Sequence, residues 1–361
     1  MRVRYTALDP DLLARLEAYG DLRKVFDDLV LRTGGDVDQA LDVMRRFQKL
    51  GYLPRELDLT RFFDQLVADG SVRIDMGHRK LSARALRGLR SNAFDLLFRN
   101  LRSGPLGDHR TPQTGAGGER LGETRPYRFG DAPSSIDGVG TLRNALRRTG
   151  TGPFDLQPDD LQVYATQHST SSATVLLLDV SHSMVLYGED RITPAKQVAM
   201  ALAELIERKY PKDSLDVALF GDEARPVEVT DLPFVMAGPY HTNTRDALRL
   251  ARRLLRRRRH PNKRIVLITD GKPSALTIGG QIYKNPNGLD PRIVKATLEE
   301  AVMCRRERIP ITTFMIAEDA YLQEFVEELT RLNKGQAYFC PPDDLGSAVF
   351  VDFLRNRRRR V

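Results

Sequence analysis

The stretch ATVLLLDVSHSM, Ala173 to Met184, decides the reading of this chain. It opens on an almost unbroken apolar run, the pattern of a strand buried on both faces, and so of a parallel sheet flanked by helices. Its end carries Asp179, Ser181 and Ser183, an alternating set that an extended loop aims in one direction. Downstream the same alternation of strand and helix continues. ITPAKQVAMALAELIERKY reads as a helix with Pro194 in its first turn and a stripe of Ala195, Val198, Ala199, Leu202, Leu205 and Ile206. SLDVALF is the next strand, and ARPVEVT hairpins off it at an edge. TRDALRLARRLLRRRR is a helix, RIVLITD a strand, PRIVKATLEEAVMCRRER a helix and PITTFMIA a strand. LQEFVEELTRL, QAYFC and DLGSAVFVDFL close the series as helix, strand and helix. The expected fold class is α/β: a Rossmann-like, doubly wound, mostly parallel six-stranded sheet over residues 173–361, preceded by a mainly α-helical N-terminal module.

Three loops of this sheet carry oxygen ligands. Asp179, Ser181 and Ser183 follow the first strand, Asp270 follows RIVLITD, and Thr242 in YHTNT immediately precedes a helix. In a doubly wound sheet the loops at the carboxyl ends of strands gather the ligand site, so these groups converge. Carboxylates and hydroxyls, without Cys or His, are the hard ligands that Mg²⁺ or Mn²⁺ prefers. A hydroxyl-rich shell leaves the ion short of a strong ligand and favours a carboxylate brought by another molecule. That chemistry points to a metal-dependent adhesion surface rather than to a hydrolase, and the chain is expected not to be an enzyme.

The remainder carries no recognisable chemistry. Residues 1–102 read as helical, with Leu22, Val25, Phe26, Leu29 and Val30 in helical rhythm and Val37, Leu41, Met44 and Phe47 repeating it. SVRIDM alternates like a short strand, and LSARALRGLRSNAFDLLFRNL is an arginine-bearing amphipathic helix. Residues 103–172 are a Gly/Pro/Arg-rich connector with one short helix, TLRNALRR, and an extended segment, DDLQVYATQHST. GAGGERLGE inside it lacks the Gly-Lys-Ser/Thr ending of a phosphate loop.

The chain has 361 residues and a net charge of +8, with 41% hydrophobic and 29% charged residues, values of a soluble globular protein. Its start is charged throughout, and its apolar runs fall far below the roughly 18 residues needed to span a bilayer, so no membrane span and a cytoplasmic location are expected. The excess positive charge sits in two clusters, Arg252 to Arg259 and Asn356 to Arg360. They are read as solvated helix-end and tail cations, with nucleic acid as the alternative partner.

The order DxSxS, then TxT, then TDG resembles the von Willebrand factor A (VWA) domain with a metal-ion-dependent adhesion site. The resemblance implies that Ser181 and Ser183 bind Mg²⁺ (or Mn²⁺) directly, with Thr242, rather than Thr244, direct or through water. Asp179 and Asp270 would act through waters and hydrogen bonds, and a partner's acidic residue would complete the shell. His182, between the serines, is expected to face solvent. The whole layout resembles bacterial proteins of the magnesium-chelatase D-subunit-like and CoxE-like type. It implies an adaptor that brings an acidic-residue-bearing client protein to an AAA+ ATPase of the MoxR or magnesium-chelatase I kind. The alternatives are an RNA-binding VWA protein using its arginine clusters and a metal-dependent phosphoesterase.

Overall fold

The computed structural model describes residues 22–54, 57–75, 78–101, 119–128, 131, 133–150, 152–167, 171–285, 290–316 and 320–359. The first 21 residues and Arg102 of the expected helical module, residues 103–118 of the connector and Arg360 of the basic tail lie outside them. The chain divides into two compact units, Met1–Pro105 with Ser172–Leu354, and Leu106–Ser171 with Arg355–Val361.

In the first unit the chain begins with α1 (Leu22–Arg32), α2 (Val37–Leu50) and α3 (Leu59–Ala68). A hairpin of β1 (Val72–Asp75) and β2 (His78–Leu81) leads to α4 (Ala83–Leu101). The starts are chemically marked: Asp36 caps α2 by accepting from the Gln39 amide, and Asp58 caps α3. The rhythmic residues Val25, Phe26, Leu29, Val30, Val37, Leu41, Met44 and Phe47 are all buried.

The second unit holds β3 (Glu119–Pro126), α5 (Gly138–Thr149) and β4 (Gln162–Gln167), with β3 and β4 antiparallel. The expected connector therefore contains a paired strand at ERLGETRP. No apolar alternation marks that segment, and the hydrogen bonds to β4 are what make it a strand.

The remaining elements of the first unit are β5 (Ser172–Asp179), α6 (Ile192–Lys209), β6 (Ser214–Phe220), β7 (Ala224–Val227), α7 (Thr244–Arg257) and β8 (Asn262–Thr269). After a small hairpin, β9 (Ala275–Ile278) with β10 (Gln281–Lys284), come α8 (Pro291–Arg306), β11 (Ile311–Met315), α9 (Ala320–Asn333), β12 (Gln336–Phe339) and α10 (Leu345–Arg359), which belongs to this unit as far as Leu354. The six-stranded sheet runs β12-β11-β8-β5-β6-β7, parallel except for the antiparallel edge strand β7. The expected α/β doubly wound class is thus the observed one. Chain order reverses between β5 and β8, which makes the carboxyl ends of those two strands a topological switch point.

Alternation splits the apolar run of β5 between two cores. Ala173, Val175 and Leu177 join α7, α8 and α9 on one face, whereas Leu176 and Leu178 join α6 and α10 on the other. The second core continues into α1–α4, so α6 is buried on both sides. This accounts for a fully buried lysine. Lys196 in α6 donates from Nζ to Leu31 O, in the last turn of α1, at 2.5 Å and to Val235 O at 2.9 Å. A helix's last carbonyls lack amide partners, so a cation suits them. Burial pushes the Lys196 ammonium down to about 8, while Asp190 and Asp28 oppose that shift. The turn after α1 is equally committed: at Gly35 (φ +83°) a Cβ would come within 2.2 Å of the Phe234 ring.

Candidate metal centre

Leu178 of β5 pairs with Ile268 of β8, so Asp179 and the Thr269-Asp270 pair leave the sheet side by side at the switch point. Asp179 is fully buried and both of its oxygens are engaged. Oδ1 accepts from the Ser181 amide at 2.8 Å, and Oδ2 accepts from Thr269 Oγ1 at 2.5 Å. The first of these folds the loop back, and the hydroxyl oxygens of Ser181 and Ser183 lie 3.0 Å apart. Ser183 Oγ donates to Asp270 Oδ1 at 2.7 Å. A hydroxyl has one proton, so Ser181 is the donor in the serine pair.

Thr242 arrives from a third loop, and that loop is braced. Its amide donates to Ser274 Oγ at 3.0 Å, and its carbonyl accepts from the amides of Ser274 and Ala275. The next residue, Asn243, caps α7 by accepting from the Asp246 amide, and its Nδ2 donates to Asp222 O and Thr277 Oγ1. The convergence is sharpest at Gly271. A Cβ there would stand 2.9 Å from Ser183 Oγ, 3.0 Å from Thr242 Oγ1 and 3.8 Å from Asp179 Oδ2. The absence of a side chain at Gly271 leaves a cradle on its own loop with oxygens from two other loops around it. All five residues singled out in the sequence thus meet at one place, and His182 beside them is exposed.

The electrostatics of this place are unbalanced. Burial, and then the neighbouring Asp270, push Asp179 up to about 7, against the hydrogen bonds from Ser181 and Thr269. Burial also raises Asp270, against hydrogen bonds from Ser183 and Arg191. Two buried carboxylates disfavour each other's ionisation, and a divalent cation between them would relieve both. The donors are oxygens throughout, two carboxylates and three hydroxyls, which fits Mg²⁺ or Mn²⁺ and suits neither zinc nor copper. Among the described residues no group of three or more His, Cys, Asp or Glu side chains could hold an ion. The centre at Gly271 differs from such clusters because hydroxyls make up most of its donors.

Sequence reasoning missed three participants. Thr269 reads as one more strand residue in RIVLITD, yet it is the donor that fixes Asp179. Gly271 reads as a turn glycine. Arg191 lies in a loop without periodicity, and its Nη1 donates to Asp270 Oδ2 at 2.8 Å. An Asn followed three residues later by Asp, just before a helix, was a readable capping signal for Asn243.

Half of the arginines in the basic cluster at the end of α7 have acidic partners. Arg252 pairs with Glu300 and Glu307, Arg256 with Glu307, and Arg258 with Asp216. Helix α10 runs to Arg359, so most of the terminal arginine run is helical rather than a frayed tail.

Residues 172–354 match the family model described as Rv0959-like protein, vWA domain, and residues 119–166 match the Rv0959-like protein third domain. The uncharacterized protein Rv0959 of Mycobacterium tuberculosis is 33% identical over 296 residues, covering 78% of this chain and 43% of that protein. The Mycobacterium bovis protein Mb0984 matches with the same figures. The chain therefore spans less than half the length of these relatives. Among solved structures, the PilB minor pilin from Streptococcus sanguinis aligns with a TM-score of 0.42 and 17% identity, over 55% of this chain and 64% of that one. The vWF domain of the pilus tip protein Mfa5 from Porphyromonas gingivalis aligns with a TM-score of 0.41 and 12% identity, over 53% and 97%.

Proposed function

The chain belongs to the Rv0959-like protein family through its vWA domain, and from that premise we propose that it is a Mg²⁺-dependent protein-binding adaptor. A vWA domain speaks for a protein-interaction role. The finer reading makes Ser181, Ser183 and Thr242 the groups that hold the ion, with Asp179 and Asp270 balancing its charge. The ion supplies a Lewis-acidic position for a partner's Glu or Asp. The observation that carries this reading is the ring of Ser183, Thr242 and Asp179 oxygens around the cradle at Gly271. The partner is proposed on the resemblance in layout to magnesium-chelatase D-subunit-like and CoxE-like proteins. It is a cytoplasmic AAA+ ATPase of the MoxR or magnesium-chelatase I kind, working on a client for remodelling or metal insertion.

The adaptor is proposed to be non-catalytic. A phosphoesterase needs a free general base beside the ion, and both oxygens of Asp179 and of Asp270 already accept hydrogen bonds. The RNA-binding alternative has less support than the charge clusters promised, because Arg252, Arg256 and Arg258 are held by acidic partners. Among the described residues no helix is long and apolar enough to cross a membrane.

The test is affinity capture from a native lysate with wild type in Mg²⁺, wild type in EDTA, and a Ser181→Ala/Ser183→Ala variant in Mg²⁺. An AAA+ ATPase or client held only by wild type in Mg²⁺ is expected. Equal recovery in all three would sink the adhesion reading.

A further inference from the structure

Asp270 has an internal cation. The Arg191 guanidinium donates from Nη1 to Asp270 Oδ2 at 2.8 Å, and the side chains are 17% and 0% exposed. This is the only aspartate oxygen of the centre that a cationic group reaches among the described ion pairs. Its seat is fixed from every side. The Arg191 amide donates to Met184 O at 3.0 Å, which ties it to the loop carrying Ser181 and Ser183. The preceding residue, Asp190, accepts from the Thr193 amide at the start of α6 and pairs with Arg32 at the end of α1. The remaining edge of the guanidinium, Nε and Nη2, is held by Glu189 Oε2 at 2.9 and 2.6 Å. Arg191 is thus presented to the centre by backbone, helix start and neighbouring carboxylate together.

We propose that Arg191 is a built-in competitor of the divalent ion, setting how tightly the centre holds metal. This rests on the metal reading above. In the metal-free chain the guanidinium partly neutralises Asp270 and so lets two buried carboxylates lie close together. When a divalent ion enters, the same positive charge opposes it, and Asp270 must serve two cations at once. The consequence is a centre poised for weak, reversible occupancy rather than for permanent retention of metal. A carboxylate arriving with a partner adds the negative charge that lets ion and arginine coexist, so partner and metal strengthen one another's binding. This is the reciprocity expected of coupled ligands.

The experiment measures Mn²⁺ binding by calorimetry and by loss of the free-ion electron paramagnetic resonance signal. Wild type is compared with Arg191→Gln, Arg191→Lys and Ser183→Ala, and thermal melting of each is followed in EDTA and in excess Mn²⁺. Arg191→Gln removes the opposing charge from beside Asp270, and Mn²⁺ should bind about tenfold more tightly. Its melting temperature should fall in EDTA and rise further on Mn²⁺ addition than that of wild type. Arg191→Lys keeps the charge and should stay near wild-type affinity, which also guards against a glutamine variant that folds poorly. Unchanged or weaker binding by Arg191→Gln, with wild type binding Mn²⁺ and Ser183→Ala failing to, would overturn the proposal and leave the metal reading standing. If neither wild type nor Arg191→Gln binds Mn²⁺, both fall together.

Discussion

Asp179 and Lys196 are both fully buried ionisable groups in the first unit, each pushed by burial toward its neutral form, but their charged neighbours act in opposite directions. Lys196 sits where a helix end and a loop offer two carbonyls, Leu31 O with only a long 3.4 Å bond from the Gly34 amide besides, and Asp190 and Asp28 lie near enough to favour its charge. Two carbonyls and two nearby carboxylates offset part of what burial takes from the ammonium, which still falls to about 8, and the contact joins the N-terminal helices to α6. Asp179 accepts two good hydrogen bonds, but its nearest charged neighbour is a second carboxylate. Its burial is left uncompensated in sign. A buried group whose neighbours favour its charge reads as structure, and one set against a like charge in a polar cradle reads as a place for something else.

That contrast can be broken most directly at Lys196. Lys196→Met keeps the bulk, leaves the Val235 carbonyl without a donor and the Leu31 carbonyl with only the 3.4 Å bond from the Gly34 amide. It should destabilise the chain by about 2–3 kcal/mol, seen as a lower urea midpoint at unchanged slope. A neutral result would mean that the hydrophobic replacement compensates and that the lysine is no structural tie. Asp179→Asn should do the reverse. In EDTA at neutral pH it should stabilise the chain by about 1–2 kcal/mol by removing one of two repelling carboxylates, while abolishing any stabilisation by Mg²⁺. An asparagine variant that melts lower in EDTA and still responds to Mg²⁺ would remove the distinction.

The two sites also differ in the sign of their pH dependence. Asp179 keeps its proton to about 7 in the folded chain, against an ordinary value of 3.8. Its contribution in EDTA is full below 3.8 and is lost as pH rises through about 7. Lys196 loses its proton at about 8, against an ordinary 10.5. Its contribution is full above 10.5 and is lost as pH falls through about 8. Urea midpoints in EDTA should therefore carry a falling limb on the acid side that Asp179→Asn removes, and a rising limb on the alkaline side that Lys196→Met removes. A limb that survives its own substitution would assign that titration to another group.

The sheet was readable because its strands are buried on both faces, so ATVLLLDV and RIVLITD stand out as apolar runs, and the ligands follow them directly. Thr242 needed the resemblance to select it, since a threonine before a helix is ordinarily a cap. The features that were not legible depend on contacts remote in sequence. Lys196 lies outside the apolar stripe of α6 and is buried only because α1 and its neighbours cover that face. Arg191 gains meaning only from Asp270, 79 residues away in the chain. The β9–β10 hairpin is a different case, because ALTI-GG-QIYK carries a readable Gly-Gly turn between two alternating segments.

The smallest expected effect belongs to the residue with no side chain. Gly271 does not require a left-handed backbone, so alanine there meets no conformational penalty of that kind; its cost is contact with two hydroxyl oxygens at 2.9 and 3.0 Å. Ser183 and Thr242 can turn aside by rotating χ1, at under about 1 kcal/mol of stability. The rotation that relieves the alanine, however, points both hydroxyls away from the cradle. Gly271→Ala should therefore melt close to wild type in EDTA and lose most of its Mg²⁺-induced shift. Loss of stability without loss of the Mg²⁺ shift would show that the space beside Gly271 is packing rather than a seat for an ion, and the uncompensated charge of Asp179 would then need another explanation.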